Sequence, residues 1–271
     1  MPLTFHHHPA LVAYITCGDP DLATSRETVL AAIRAGADII EIGVPFSDPV
    51  ADGPIIQRAS ERALKHGTSL AQVLELAREV RKKEPKAGLL IFSYLNPLVR
   101  MGLEKFAKAA HDAGIDGVLA TDLPVEEAED YLRVMRAADL DTVFLAAPTS
   151  PDQRIKMICD VSRGFIYAVS RTGVTGTRQE LAADASGLVK RIKQCTKLPV
   201  AVGFGISNAQ QFAEVTSFAD AAVVGSGIVQ VIEKSGRNAP NAVYDFITDL
   251  LHGNRKRPSP PPGSERLTTN T

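Results

Sequence analysis

The chain has 271 residues with 30 Lys and Arg against 31 Asp and Glu, which gives a net charge of −1. Its 45% hydrophobic and 23% charged content is that of a globular protein with a substantial core. The balanced charge argues against nucleic acid or a membrane surface as a partner. No apolar run approaches the roughly eighteen residues that span a bilayer, and the N-terminus lacks a secretory signal, so we expect a cytoplasmic protein.

Eight short β-branched or apolar runs predict strands, at 11–16, 39–43, 89–94, 117–120, 142–146, 165–169, 199–202 and 221–224. Stretches with helical periodicity lie between them, including 23–35, 70–83, 103–113, 126–137, 182–194 and 209–215. This alternation predicts a parallel sheet covered by helices, and eight units match a single (β/α)8 TIM barrel over residues 1–253. A doubly wound open sheet is the alternative, but no glycine fingerprint follows the first predicted strand.

Beyond Gly253 the composition becomes basic, polar and rich in proline, which predicts a disordered tail at 254–271. The odd number of cysteines, without CxxC spacing, favours reduced structural thiols over a disulfide framework or a zinc site. The three histidines at positions 6–8 are expected to be exposed, and no metal site is predicted.

The segment after the second predicted strand carries three carboxylates, Glu41, Asp48 and Asp52. Glu41 lies inside the strand run, where a buried charge is costly without a partner or a task, and desolvation there would raise its pKa toward neutrality. A structural ion pair at the barrel rim is the alternative for Glu41. Asp52 lies in a loop that three prolines stiffen, and its alternative is a turn before Gly53. Asp48 is the weaker catalytic candidate.

Three later loops also favour a ligand site. The segment after strand six, 167–178, contains two glycines and predicts a mobile lid. Paired glycines follow strands seven and eight, at Gly203-Phe204-Gly205 and Gly225-Ser226-Gly227. Such glycines admit an anion to backbone N–H groups, and many barrels hold a phosphate at these two loops. The residues therefore predict an acid/base enzyme that acts on a small phosphorylated molecule, without specifying the reaction.

Three segments, in this order, closely resemble the tryptophan synthase alpha chain family: Glu41-Ile42-Gly43-Val44-Pro45-Phe46-Ser47-Asp48-Pro49 with Ala51-Asp52-Gly53-Pro54, Arg171-Thr172-Gly173-Val174-Thr175-Gly176, and Gly203-Phe204-Gly205-Ile206-Ser207. The resemblance implies a TIM barrel that cleaves indole-3-glycerol phosphate to indole and glyceraldehyde 3-phosphate in a retro-aldol reaction. It implies no cofactor, and a tryptophan synthase beta chain as partner in an α2β2 tetramer.

By this resemblance Glu41 is the general acid/base, and Asp52 accepts a hydrogen bond from the indole N–H. The resemblance assigns the other substrate contacts to Tyr167, Arg171, Thr175, Gly176, Gly203, Phe204, Gly205, Gly225 and Ser226. It also implies an apolar slot for the indole ring, with walls formed by Tyr14, Phe92, Leu119 and Phe204. Two other interpretations stay open: a regulatory subunit that mainly activates its beta chain, and a different phosphate-binding barrel such as a sugar-phosphate isomerase or epimerase.

Overall fold

The computed structural model describes residues 2–169, 178–203 and 205–253, and the side chains of 178–182 are not among the described atoms. Some residues singled out from the sequence lie outside the described residues, namely Arg171, Thr175, Gly176, Phe204 and the tail 254–271.

The described residues form one sheet of nine parallel strands: β1 (Ala10–Thr16), β2 (Ile39–Gly43), β3 (Gly88–Ser93), β4 (Gly117–Ala120), β5 (Asp141–Thr142), β6 (Leu145–Ala146), β7 (Ile166–Val169), β8 (Val200–Gly203) and β9 (Ala221–Val224). The order around the sheet is β5-β4-β3-β2-β1-β9-β8-β7-β6. The two end strands, β5 and β6, are halves of one chain segment, 141–146. β5 pairs with β4 and β6 pairs with β7, so this segment closes the sheet into a barrel with eight strand positions.

The helices of the described residues are α1 (Leu22–Arg34), α2 (Pro54–Lys65), α3 (Leu70–Lys83), α4 (Leu95–Met101), α5 (Leu103–Asp112), α6 (Glu129–Ala137), α7 (Asp152–Val161), α8 (Arg178–Lys193), α9 (Ala209–Thr216), α10 (Ser226–Ser235) and α11 (Ala239–His252). Every predicted strand is present to within two residues at either end, although the fifth is divided, and the predicted helical stretches all coincide with helical segments. The single TIM barrel is therefore confirmed over the described residues, and the open sheet is excluded.

The long interval between β2 and β3 contains an additional helix. The proline-stiffened loop predicted around Asp52 ends at Gly53, and α2 begins at Pro54. Proline suits the first helical position because its missing N–H is not needed there and its φ is already helical. The segment that carries Asp52 is therefore short, 44–53, and is held between a barrel strand and a helix.

Alternation of side chains along each strand separates two apolar layers. On β2, Ile40 and Ile42 belong to the large cluster between sheet and helices, whereas Ile39 belongs to a second cluster inside the barrel. Leu90 and Leu119 on the next strands also face this interior. The same alternation turns Glu41 inward, into the barrel.

The N-terminal segment covers the opposite end of the barrel from the candidate site. Leu3 is buried in the interior cluster, and the Phe5 ring packs on that of Phe165 with centroids 5.6 Å apart. Asp38, which is also buried, accepts hydrogen bonds from the backbone N–H groups of His6, His7 and Leu11 at 2.8, 3.0 and 3.0 Å. The three histidine side chains are exposed, as expected.

Candidate active site

Glu41 is a completely buried carboxyl group in the barrel interior. Its side chain is 0% exposed, and neither carboxyl oxygen accepts a hydrogen bond from any described residue. Desolvation raises the pKa of Glu41 to about 8. The structural ion pair that we considered is absent from the described residues. Because a charge without partners is strongly disfavoured in such a place, Glu41 holds its proton at neutral pH and is free to exchange it with a molecule in the barrel.

Asp52 follows β2 in the loop that leads into α2. Its backbone N–H donates to the Pro49 carbonyl at 3.1 Å, and its own carbonyl accepts a hydrogen bond from Gln57 Nε2 at 2.8 Å. Its carboxylate oxygen Oδ2 accepts a hydrogen bond from the Tyr94 hydroxyl at 3.2 Å. Burial raises the pKa of Asp52 to about 6, although the Tyr94 hydrogen bond lowers it. Asp52 is therefore mainly ionised at neutral pH, in contrast to Glu41.

Tyr14 forms one wall of the site because Gly43 gives it room. Tyr14 pairs in register with Glu41, and its ring meets that of Phe92 edge-on, with centroids 5.0 Å apart. A Cβ atom on Gly43 would lie 2.4 Å from the Tyr14 hydroxyl oxygen, so only glycine permits this ring position. The Thr16 hydroxyl lies 3.3 Å from the Tyr14 hydroxyl. Burial, followed by the charges of Asp52 and Glu41, raises the pKa of Tyr14, which therefore stays neutral.

Tyr167 borders the site from the opposite side of the barrel. Its hydroxyl lies 2.8 Å from the position that a Cβ atom on Gly203 would occupy. Desolvation and then the charges of Glu41, Tyr14 and Asp52 raise the pKa of Tyr167. Both carboxyl groups thus interact electrostatically with both tyrosines.

The glycine-rich loops after β8 and β9 lie against each other at the same end of the barrel. Gly205 has φ +61°, in the left-handed region that favours glycine. Gly225 occupies the N-cap position of α10, and Ser226 is the first residue of that helix. A Cβ atom on Gly227 would lie 2.7 Å from the Ile206 carbonyl oxygen, so the second loop packs directly on the first. Backbone N–H groups at a helix N-terminus attract anions, which suits a phosphate group.

The structure separates the carboxylates of the second loop. Glu41 and Asp52 join the tyrosines, whereas Asp48 is exposed and accepts a hydrogen bond from the neighbouring Ser47 hydroxyl at 2.5 Å. Tyr94 was missed in the sequence, where it only ended the third predicted strand. Its hydroxyl also accepts a hydrogen bond from the Ala51 N–H at 2.9 Å. The one available signal was a tyrosine at the carboxyl end of a buried strand, the end where barrel enzymes place their sites.

Three further observations concern metal ligands, membrane-crossing helices and cysteines. Within the described ranges, no three His, Cys, Asp or Glu side chains are grouped so that they could hold a metal ion. No helix in the described part of the chain has the length and apolar character needed to cross a membrane. The three cysteines are free, with Cys17 and Cys159 buried and Cys195 exposed.

Comparisons with known proteins agree along most of the chain. The family model of the tryptophan synthase alpha chain matches residues 3–254. The tryptophan synthase alpha chain of Solibacter usitatus is 53% identical over 90% of this chain and 92% of its own length, and that of Marinobacter nauticus is 48% identical over 91% of each.

Solved structures give the same result. The tryptophan synthase complex of Pyrococcus furiosus contains a chain that matches with a TM-score of 0.84 and 37% identity, over 90% of this chain and 98% of that one. Tryptophan synthase of Mycobacterium tuberculosis matches with a TM-score of 0.81 and 35% identity, over 89% of this chain and 90% of that one. The match to the family model and the sequence identities to these relatives show that the chain belongs to the tryptophan synthase alpha chain family.

Proposed function

We propose that the chain is the alpha subunit of tryptophan synthase, a lyase that cleaves indole-3-glycerol phosphate to indole and glyceraldehyde 3-phosphate in L-tryptophan biosynthesis. Family membership supports this reaction. The observation that carries it is the Glu41 carboxyl group, fully buried and without a hydrogen bond from any described residue, in the same pocket as the more acidic Asp52. Two carboxyl groups with separated pKa values can divide acid and base roles.

Glu41 supplies the proton that the reaction needs at carbon. As a neutral acid it donates its proton to indole C3, and the resulting carboxylate accepts the proton of the glycerol hydroxyl as the C–C bond breaks. The electron pair of that bond returns to the indole ring, and the hydroxyl carbon becomes the aldehyde of glyceraldehyde 3-phosphate. The proton count balances, because Glu41 ends the cycle in the form in which it began.

Asp52 stabilises the cationic intermediate. Protonation at C3 makes the indole nitrogen part of a cation. A carboxylate that accepts a hydrogen bond from the indole N–H stabilises this cation most strongly where water is excluded. Its pKa of about 6 leaves it ionised at neutral pH, as this role requires. Tyr14, Phe92 and Leu119 supply apolar walls for the ring, with Phe204 and Tyr167 as further contacts.

The phosphate would bind at the loops after β8 and β9. We assign its contacts to Gly203, Gly205, Gly225 and Ser226, together with Gly176. The N-terminus of α10 and the left-handed backbone of Gly205 support this assignment. Arg171 and Thr175 belong by resemblance to a lid that closes over the substrate.

We further propose that the chain acts in the cytoplasm and pairs with a tryptophan synthase beta chain in an α2β2 tetramer that receives the indole. The matched Pyrococcus furiosus structure is a tryptophan synthase complex, which supports such a partner.

The reaction is tested by measuring both products from indole-3-glycerol phosphate with the purified chain, alone and with a beta chain. We expect indole and glyceraldehyde 3-phosphate in equal amounts, with a rate that rises when the partner is added. Indole formed in heavy water should carry deuterium at C3. No product in either condition would contradict the lyase and favour a regulatory subunit or a different phosphate-binding barrel.

A further inference from the structure

Tyr94 connects the loop that carries Asp52 to the start of α4. Its hydroxyl accepts a hydrogen bond from the Ala51 backbone N–H at 2.9 Å and donates one to Asp52 Oδ2 at 3.2 Å. Its ring packs on the Phe46 ring with centroids 5.1 Å apart and planes inclined by 33°. Tyr94 thus contacts the loop near both of its ends, although it is 42 residues from Asp52 in sequence.

The position of Tyr94 is itself well determined. The residue is 2% exposed and occupies the N-cap position of α4. Its carbonyl accepts a hydrogen bond from the Ser93 hydroxyl at 2.8 Å, and the N–H of the next residue, Leu95, donates to Asp122 Oδ1 at 2.7 Å. A rigid support of this kind can fix the orientation of a side chain that it contacts.

The two hydrogen bonds of the Tyr94 hydroxyl have different directions. A phenol has one proton to donate. The hydroxyl oxygen accepts the hydrogen bond from the Ala51 N–H, and the hydroxyl proton is donated to the Asp52 carboxylate. The hydroxyl therefore fixes both the backbone before Asp52 and one oxygen of its carboxylate.

We propose that Tyr94 is a positioning residue for the lyase reaction, whose hydroxyl holds the Asp52 carboxylate toward the indole nitrogen of the substrate. This inference rests on the function proposed above. Tyr94 acts through Asp52 and need not contact the reacting atoms. Its contribution should be greatest where Asp52 must be both ionised and correctly oriented.

The charges around Asp52 predict what removal of the hydroxyl would do. The negative charges of Asp52 and Glu41 raise the pKa values of both Tyr14 and Tyr167, which keeps the two phenols neutral. On the α4 side, Asp122 acts on Tyr94. None of these groups supplies a positive charge, so the Tyr94 hydrogen bond is what favours the ionised form of Asp52 against its desolvation. Without it, the pKa of Asp52 should rise.

The test is the pH dependence of kcat/KM for Tyr94→Phe in the full chain, assayed with and without a beta chain. Since Asp52 acts as a carboxylate, activity declines as the pH falls through its pKa. We expect the acidic limb of the profile to move to higher pH by about one unit, with roughly 5-fold lower kcat/KM near pH 6 and a smaller loss at pH 8. The KM should change less than kcat.

Tyr131→Phe is the matched control. Tyr131 is also buried, and its hydroxyl donates to the Val118 carbonyl at 3.2 Å, on the helix side of the sheet. This variant should lose comparable stability and keep the wild-type acidic limb. Because folding stability itself depends on pH, circular dichroism is recorded for both variants across the same pH range, and the limbs are compared only where each variant is folded.

Two results would overturn the inference: an acidic limb of Tyr94→Phe that coincides with that of the wild type, or an equal shift in Tyr131→Phe. Either result would leave the lyase assignment intact, because the wild type would still release indole. Failure of the wild type to release indole would instead overturn the proposed function, and this inference with it.

Discussion

Replacement of Glu41 by Gln should abolish indole formation and stabilise the protein at the same time. The amide preserves the shape of the side chain but cannot carry a proton to indole C3 and return it. Loss of a general acid/base typically costs roughly 100- to 10,000-fold in rate. Affinity for a substrate analogue should stay within a few-fold of that of the wild type, since the substitution removes a transition-state interaction. Activity near that of the wild type would refute the assignment.

The expected gain in stability follows from the pKa of Glu41. Its pKa is about 8 in the folded protein against 4.5 for an ordinary glutamate. The folded protein therefore binds this proton more tightly than the unfolded chain does. The resulting stabilisation is fully present below the pKa of the unfolded chain and is lost as the pH rises through the pKa of the folded protein. Between about pH 4.5 and 8 the wild type should therefore lose stability that Glu41→Gln keeps. We expect the variant to be more stable at pH 8 by about 1–3 kcal/mol, after allowance for its unpaired amide.

Asp38→Asn is a control for which we expect the opposite effect on the free energy of unfolding, measured with denaturant. Both carboxyl groups are buried, but Asp38 accepts three backbone N–H hydrogen bonds, whereas Glu41 accepts none from the described residues. Asp38→Asn should destabilise the chain by about 1–3 kcal/mol. A loss of stability in Glu41→Gln that grows with pH would show that Glu41 is ionised and paired in the folded state.

Asp52→Asn should reduce kcat by roughly 100- to 1,000-fold, the cost of removing one preorganised electrostatic contact to a developing charge. The amide oxygen can still accept the indole N–H, but it lacks the negative charge that stabilises the C3-protonated ring. The acidic limb near pH 6 should also disappear from the pH profile, because Asn does not titrate.

Asp48→Asn is the control for this prediction, assayed in the isolated chain. Asp48 lies in the same loop, but its side chain is exposed. We expect a wild-type rate and an unchanged acidic limb. Equal losses in the two variants would mean that the loop as a whole, rather than the Asp52 charge, supports the reaction.

Much of the barrel was predictable because each strand is an apolar run and each interval contains a helical pattern. The division of the fifth strand was not, since both halves of 141–146 are needed to continue the sheet but pair with different neighbours. Helix α2 was not predicted, because Pro45, Pro49 and Pro54, which lie at and before its start, favour a loop.

The candidate site likewise contains residues that the sequence predicts and residues that it does not. Glu41 was recognisable because a charged residue interrupts a buried strand, and alternation alone turns it into the barrel. The need for Gly43 was not recognisable, because it depends on the Tyr14 ring of the neighbouring strand. Tyr94 was missed for the same reason, since its contacts with Ala51 and Asp52 exist only after β2 and β3 are paired.

The most direct test of this account is a titration of the Glu41 carboxyl group in the folded chain by NMR, with glutamate labelled with ¹³C at the side-chain carboxyl. A resonance that titrates near pH 8 and is missing from Glu41→Gln would establish a buried acid that holds its proton at neutral pH. If the Glu41 resonance instead titrates below about pH 5, as an ordinary solvated glutamate does, the residue is ionised at neutral pH and the proposed proton donor to indole C3 is contradicted.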